Sequence, residues 1–249
     1  MLGLGLYNAL SKEGTITPTI VTDSLVMKHM YSAGAVQKLS DGAVYLVQGS
    51  DNDYIEIADS ADLSPSSLTV SAWVNFGGSA PTDNYPRIID TDGDSFGWHL
   101  RYDKSNTRFT LRVSSDGSND ELGTTDSTYT NYSKWYHVVA TYDSSSGTVK
   151  MYVDGVHDGT DTGEITGAIN NPSGTIKIGK SNIGDGQDWS GYICNIGVWG
   201  RVLTQAEIKS IMWKQHADLS TTEKTSLVSW WNLDTDANDS HGSNHGTLL

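Results

Sequence analysis

The strongest hydrophobic patterning in the chain runs from Trp135 to Gly155. Trp135-Tyr136-His137-Val138-Val139-Ala140-Thr141-Tyr142 is β-branched and aromatic, with apolar residues on both parities. It predicts a strand buried on both faces. Ser144 to Gly147 is small and polar, a turn in which Gly147 can take φ > 0. After it the pattern alternates: Val149, Met151 and Val153 face one way, Lys150 and Tyr152 the other. Asp154-Gly155 is a strong two-residue hairpin signal, so a third strand should follow at once.

The same strand-length patterning recurs along the chain. It predicts strands at residues 24–31, 43–47, 53–57, 68–75, 87–90, 96–102, 109–113, 175–179 and 192–199. Gly49 to Asn52 joins the second and third, and Asp103 to Asn106 forms a later turn. Residues 59–67 and 165–174 are connections, and 119–132 is a long polar loop with one irregular strand. Ser181 to Ser190 is a loop rich in Asn, Asp and Gly that carries Trp189. Thr204-x-x-Glu207 is a capping box, and Ile208, Ile211 and Met212 share one helical face, which predicts a helix over 204–214. At the start, Leu2, Leu4 and Leu6 alternate with Gly before a polar break, reading as an extended arm or a frayed terminus. The expected organisation is an arm (1–22), a β-sandwich (23–203), then a helix and a C-terminal return strand (204–249) that completes the sandwich.

Composition narrows this reading. Among 249 residues there are 26 Gly, 8 Trp and 12 Tyr but only 5 Pro, which suits many short strands joined by polar turns. The formal net charge of −14 argues against nucleic acid and anionic membrane surfaces, both of which select a basic face. A single cysteine precludes an intramolecular disulfide. Cys194 is expected to share a strand face with Ile196 and Val198 as a buried, inert thiol. The first eight residues lack a basic region and turn polar too early for a secretory signal, and no apolar run is long enough to span a bilayer.

A family resemblance lies on specific segments. The run W-x-H-V-x-A-T-Y-D at 135–143 followed by V-x-M-Y-V-D-G at 149–155 resembles the centre of a laminin-G-like, concanavalin-A-like lectin/glucanase domain. Ser67-Leu68-Thr69-Val70-Ser71-Ala72-Trp73-Val74 and Trp199-Gly200-Arg201-Val202-Leu203-Thr204-Gln205-Ala206-Glu207-Ile208 resemble its other signatures. The resemblance implies an all-β, two-sheet antiparallel jelly-roll sandwich with a short C-terminal helix. Leu227 to Asp234 and Asn238 to Leu248 resemble the segment that normally opens such a domain, yet here they close the chain. That tail either supplies a strand to its own sandwich or pairs with a neighbouring copy. The whole arrangement is similar to laminin-G-like domains of phage fibre and capsid decoration proteins.

Glucanases of this fold carry E-x-D-x-x-E on one strand, and no such spacing occurs here. The seven histidines show no metal-ligand spacing and no G-x-S-x-G elbow is present, so no catalytic residue is expected. For calcium, Asp90-x-Asp92-Gly-Asp94 is dense in carboxylates but reads better as a polar turn. The resemblance implies a second Ca²⁺ segment at Asp239 and Asn244, completed by an Asp on the last strand. Cys194 stands at that position, leaving Asn195 as the substitute ligand. For a glycan, the candidates are Asp83, Asn84 and Tyr85 on one loop and Asn182, Asp185, Gln187, Asp188 and Trp189 on another. Packing is the competing role for Trp189.

These readings lead to an expected function. The protein is expected to be a non-catalytic module on a virus particle surface, a phage head fibre, tail fibre or capsid decoration. It would form a homo-oligomer, attach to capsid or tail proteins through its termini and present loops to glycans. The alternative is an extracellular bacterial lectin, and a glycosidase is the weakest reading.

Overall fold

Alternating apolar residues pair across strands so that each sheet turns one hydrophobic face inward. A computed structural model describes residues 42–47, 53–163, 165–184 and 187–249. The expected arm at 1–22, the strand at 24–31 and the turn at 49–52 lie outside the described residues. The strands are β1 (Val44–Leu46), β2 (Ile55–Ile57), β3 (Leu68–Asn75), β4 (Arg87–Asp90), β5 (Trp98–Asp103), β6 (Arg108–Val113) and β7 (Glu121–Thr124). They continue as β8 (Tyr136–Asp143), β9 (Thr148–Val153), β10 (Val156–Thr162), β11 (Ile176–Ile178), β12 (Gly191–Trp199), β13 (Leu227–Trp231) and β14 (Gly246–Leu248). The front sheet runs β1-β12-β3-β8-β9-β10, with β13 also on β12, and the back sheet runs β14-β2-β11-β4-β5-β6-β7. Every pairing is antiparallel, as the jelly-roll reading requires.

The central hairpin follows its sequence closely. Asp154 (φ 51°) and Gly155 (φ 74°) both lie in the left-handed region, as a two-residue type I′ turn demands, and Val153 pairs with Val156 across it. The Asp154 carboxylate adds bonds from the His137 N–H at 3.0 Å and from Lys134 Nζ at 2.7 Å, pinning the turn to the start of β8. Strand β8 is buried on both faces from Tyr136 to Tyr142. Its inner side, Val138, Ala140 and Tyr142, pairs with Val153, Met151 and Val149 of β9. Ile55, Ile57, Ile89, Leu100, Leu111 and Ile178 from the back sheet complete one core. Each such aliphatic side chain contributes about 1.5–3 kcal/mol on burial.

The outer face of the front sheet is covered as well. Helix α1 (Gln205–Ile211) is closed by the expected capping box between Thr204 and Glu207. Its Ile208 and Ile211 pack with Val139, Tyr152, Trp199, Leu203 and Trp230 in a second buried cluster. Trp73 Nε1 donates to the Met212 carbonyl at the end of the helix, at 2.9 Å. The alternation in β3 therefore separates two cores, not core from solvent.

Strand β12 corrects one expectation. Asn195 sits in a bulge at φ 48°, and the register slips between Cys194 and Gly197. Cys194 therefore pairs with Trp73 on the outer side, while Val198 pairs with Val70 on the inner side. The thiol is buried but does not share a face with Ile196 and Val198. The tail adds strands within its own sandwich: β13 pairs with β12 and β14 pairs with β2, one strand in each sheet.

Candidate functional site

Strands β4, β5 and β6 carry a polar row on the side opposite the main core. Arg87 pairs with Arg101 and Arg101 with Thr110, while Asp90 pairs with His99 and His99 with Arg112. Much of this face is buried: Arg87 is 2% exposed, Asp90 and His99 0%. Buried charge must be paired. Arg87 Nε lies 3.0 Å from Asp90 Oδ2, which also accepts Ser181 Oγ at 3.2 Å. Asp92 accepts the Gly97 N–H at 2.9 Å and stands 2.7 Å from His99 Nδ1. Burial pushes the His99 pKa well below the usual range and raises that of Asp92. The neutral ring donates its Nδ1–H to Asp92, and Nε2 is left buried without a partner.

Asp90, Asp92 and His99 bring three ligand-type atoms within 4.8 Å of one another, the one such group among the described residues. Arg87 already supplies a cation there, and both carboxylates serve the turn. The pair is also closed to substrate, with Asp92 1% exposed.

Two loops lie over this face, and they are the loops expected to bind ligand. Asp83 Oδ2 accepts the Asp188 N–H at 2.8 Å, and the Gln187 carbonyl accepts the Arg87 N–H at 3.0 Å. The Tyr85 carbonyl accepts from Arg87 Nη1 at 3.2 Å, while its ring lies 4.4 Å beneath the Arg101 guanidinium. Asn84 is exposed, and its carbonyl accepts the Lys104 N–H at 3.0 Å. Asn182 is structural: its Nδ2 donates to the carbonyls of Thr175 at 2.7 Å and Asp90 at 3.2 Å. Gln187 Nε2 donates to the Ile183 carbonyl at 3.3 Å. Asp185 lies outside the described residues. Trp189 must be removed from the ligand set. It is 0% exposed and stacks on Phe76 with ring centroids 4.8 Å apart, so it offers no face to a sugar.

The tail residues form a hydrogen-bonded cap. Asp239 Oδ1 accepts N–H groups from Trp230, His241 and Gly242 at 2.9–3.0 Å, and Oδ2 accepts that of Asn244 at 3.1 Å. Burial opposes ionisation of this carboxyl, yet the backbone donors together outweigh it and its pKa is lowered. Asn244 Nδ2 donates to Ser229 Oγ at 2.8 Å, and its backbone carbonyl accepts from Trp231 Nε1 at 2.8 Å. Asn195 Oδ1 is buried without a partner. Calcium takes six to eight oxygens. The Asp239 carboxylate already accepts four backbone N–H groups, and the amide oxygens of Asn195 and Asn244 add two more at most.

Sequence reading missed two groups. One is the arginine cluster: four of the chain's five arginines fall between Arg87 and Arg112, and that clustering in an acidic chain was the available signal. The other is an aromatic patch on the front sheet. Tyr45 (51% exposed) and Tyr192 (38% exposed) lie 4.6 Å apart, with Trp135 5.9 Å from Tyr192. Its members come from three distant segments, so no local pattern announces it.

Comparison with known proteins agrees with this architecture. A carbohydrate-binding description attaches to a Bacteroides ovatus protein that superposes with a TM-score of 0.60 at 19% identity, over 79% of this chain and 56% of that one. A heptameric SAP-like pentraxin from Limulus polyphemus gives 0.51 at 16% identity, over 71% and 84%. The binding domain of botulinum neurotoxin serotype G gives 0.53 at 16% identity, over 72% and 46%. The chain thus spans about half the length of the first and third. These likenesses establish the fold alone. No curated protein matches the sequence. The sequence profile of the concanavalin A-like lectin/glucanases superfamily matches residues 48–209, well over half of the chain. The chain belongs to the concanavalin A-like lectin/glucanases superfamily.

Proposed function

We propose that the protein is a non-catalytic glycan-binding module whose ligand rests on the back-sheet rim, against Asp83, Asn84, Tyr85, Gln187 and Asp188. The observation that carries this reading is the bond from the Asp188 N–H to Asp83, which fixes two polar loops side by side over the arginine-bearing face. A preorganised rim of amides, carboxylates and an aromatic ring suits sugar hydroxyls and ring faces. The closed Asp90–Asp92 pair supports binding without turnover. The carbohydrate-binding description of the Bacteroides ovatus protein of the same fold supports the ligand class.

The test is a glycan array with the purified protein, run with added calcium and with a chelator. Binding of the same saccharides in both arms, lost in Asp83→Ala, is the expected result. No binding in either arm would overturn the reading. Binding that disappears with the chelator would overturn the rim as its place and move the site to Asn195 and Asp239.

The virus-particle setting belongs to the same proposal, as does attachment through the termini of a homo-oligomer. The last strand, β14, borders a groove of about 430 Å³ lined by Val44, Asp234 and Leu248 among others, which supports an attachment surface at the C-terminal end. Mass spectrometry of purified particles tests this. Absence of the protein from them would favour the extracellular lectin.

A further inference from the structure

We propose that the rim selects an acidic sugar and that Arg101 binds its carboxylate, an inference that rests on the glycan reading above. An acidic protein with a net charge of −14 places four of its five arginines, Arg87, Arg101, Arg108 and Arg112, on one face of three adjacent strands. Two of them are neutralised: Arg87 by Asp90 at 3.0 Å and Arg112 by Asp120 at 2.6 Å. Arg101 is not. Its Nε donates to Thr110 Oγ1 at 3.0 Å and its plane stacks on Tyr85, but no described residue accepts from its two terminal nitrogens.

The surroundings make that guanidinium a ready anion receptor. Thr110 and Tyr85 hold it in one orientation, so little side-chain freedom is left to lose on binding. Two parallel N–H donors at its tip match the two oxygens of a carboxylate. Burial, together with the positive charges of Arg87 and Arg112, holds its pKa down to about 10, so a bound anion would relieve a real repulsion. The half-exposed Tyr85 and the loop of Asp83 and Asn84 place sugar-binding groups beside it. Bracing the sheet is the competing role for Arg101. It would account for the Thr110 and Tyr85 contacts but not for the unpaired tip.

The test uses saccharides that differ only in a uronate carboxylate or its methyl ester, with sulfate as a competitor. The wild-type protein should prefer the free acid by tenfold or more. Arg101→Gln should erase the preference for free acid over ester, and Arg101→Lys should restore part of it. Melting curves show whether each variant is folded. Equal binding of acid and ester would overturn the carboxylate assignment and leave the glycan reading standing. An Arg101→Gln variant that melts lower but keeps the preference would assign Arg101 to bracing alone. Sulfate that displaces the protein at the uronate's own concentration would also overturn the proposal, because the site would then read charge only. Failure of every saccharide would remove both readings.

Discussion

Asp83 and Asp188 meet through one hydrogen bond, Asp188 N–H to Asp83 Oδ2 at 2.8 Å, across 105 residues of sequence. The bond closes the rim over β4 and β5. Asp83→Ala removes the acceptor and leaves the Asp188 amide to water or to nothing. A hydrogen bond to a charged group contributes about 1.5–3 kcal/mol, but this one sits on half-buried loops, so global stability should fall by about 1 kcal/mol or less. Glycan affinity should fall further, since loop order is lost as well as a contact. Calorimetry beside thermal melts separates the two effects.

Gly123 in β7 faces Val149 in β9, one strand from each sheet. A Cβ at Gly123 would stand 2.0 Å from Val149 Cγ1, a distance no rotamer adjustment of Val149 absorbs cheaply. Gly123→Ala should cost about 1–3 kcal/mol by overpacking. Gly200→Ala is the control, because its new Cβ would meet nothing closer than 3.5 Å. If the clash is the cause, Val149→Ala should partly rescue Gly123→Ala in a melt.

The fold was legible because its strands carry local signals. Val149, Met151 and Val153 alternate, Asp154-Gly155 specifies its own turn, and Thr204 with Glu207 caps the helix. The site was only half legible. The two loops stood out by composition, but the Arg101 tip depends on which arginines find carboxylates, and that is settled by sheet register. Trp189 was a ligand candidate with packing as its competing role, and its stacking on Phe76 decides for packing. The bulge at Asn195 was hidden because parity counting assumes a regular strand, and one inserted residue reverses it.

Glu223 ties helix α1 to the segment leading into β13. It accepts from Ser210 Oγ at 2.6 Å, from Lys214 Nζ at 2.6 and 2.7 Å, and from Ser220 N at 2.8 Å. Burial would raise its pKa, but Lys214 and the hydroxyl and amide donors prevail and bring it to about 2. The folded pKa lies below the unfolded one. The stabilisation is therefore complete above about pH 4.5 and is lost as pH falls toward 2. Glu223→Gln should cost about 1.5–3 kcal/mol at pH 7 and almost nothing near pH 2. Urea titrations at the two pH values measure it.

Two buried histidines set an earlier acid limit. His137 Nε2 bonds Ser71 Oγ at 2.8 Å under helix α1, and its Nδ1 is buried without a partner. Burial lowers its pKa to about 3, and that of His99 also falls well below the usual range. Below about pH 6.5 the unfolded chain takes up these protons while the native state refuses them, so stability drops as pH falls. Each histidine contributes a slope of about 1.4 kcal/mol per pH unit until its folded pKa is reached. This window opens two units above the Glu223 window, so the histidine effect stands alone between about pH 6.5 and 4.5. His137→Gln keeps a hydrogen-bonding partner for Ser71 but cannot be protonated. It should flatten the decline between pH 6.5 and 4 by about one proton's slope and leave the decline below pH 4.5 due to Glu223 intact. An unchanged slope between pH 6.5 and 4 would mean that the imidazole is protonated in the folded protein, with the outer layer opening to admit water.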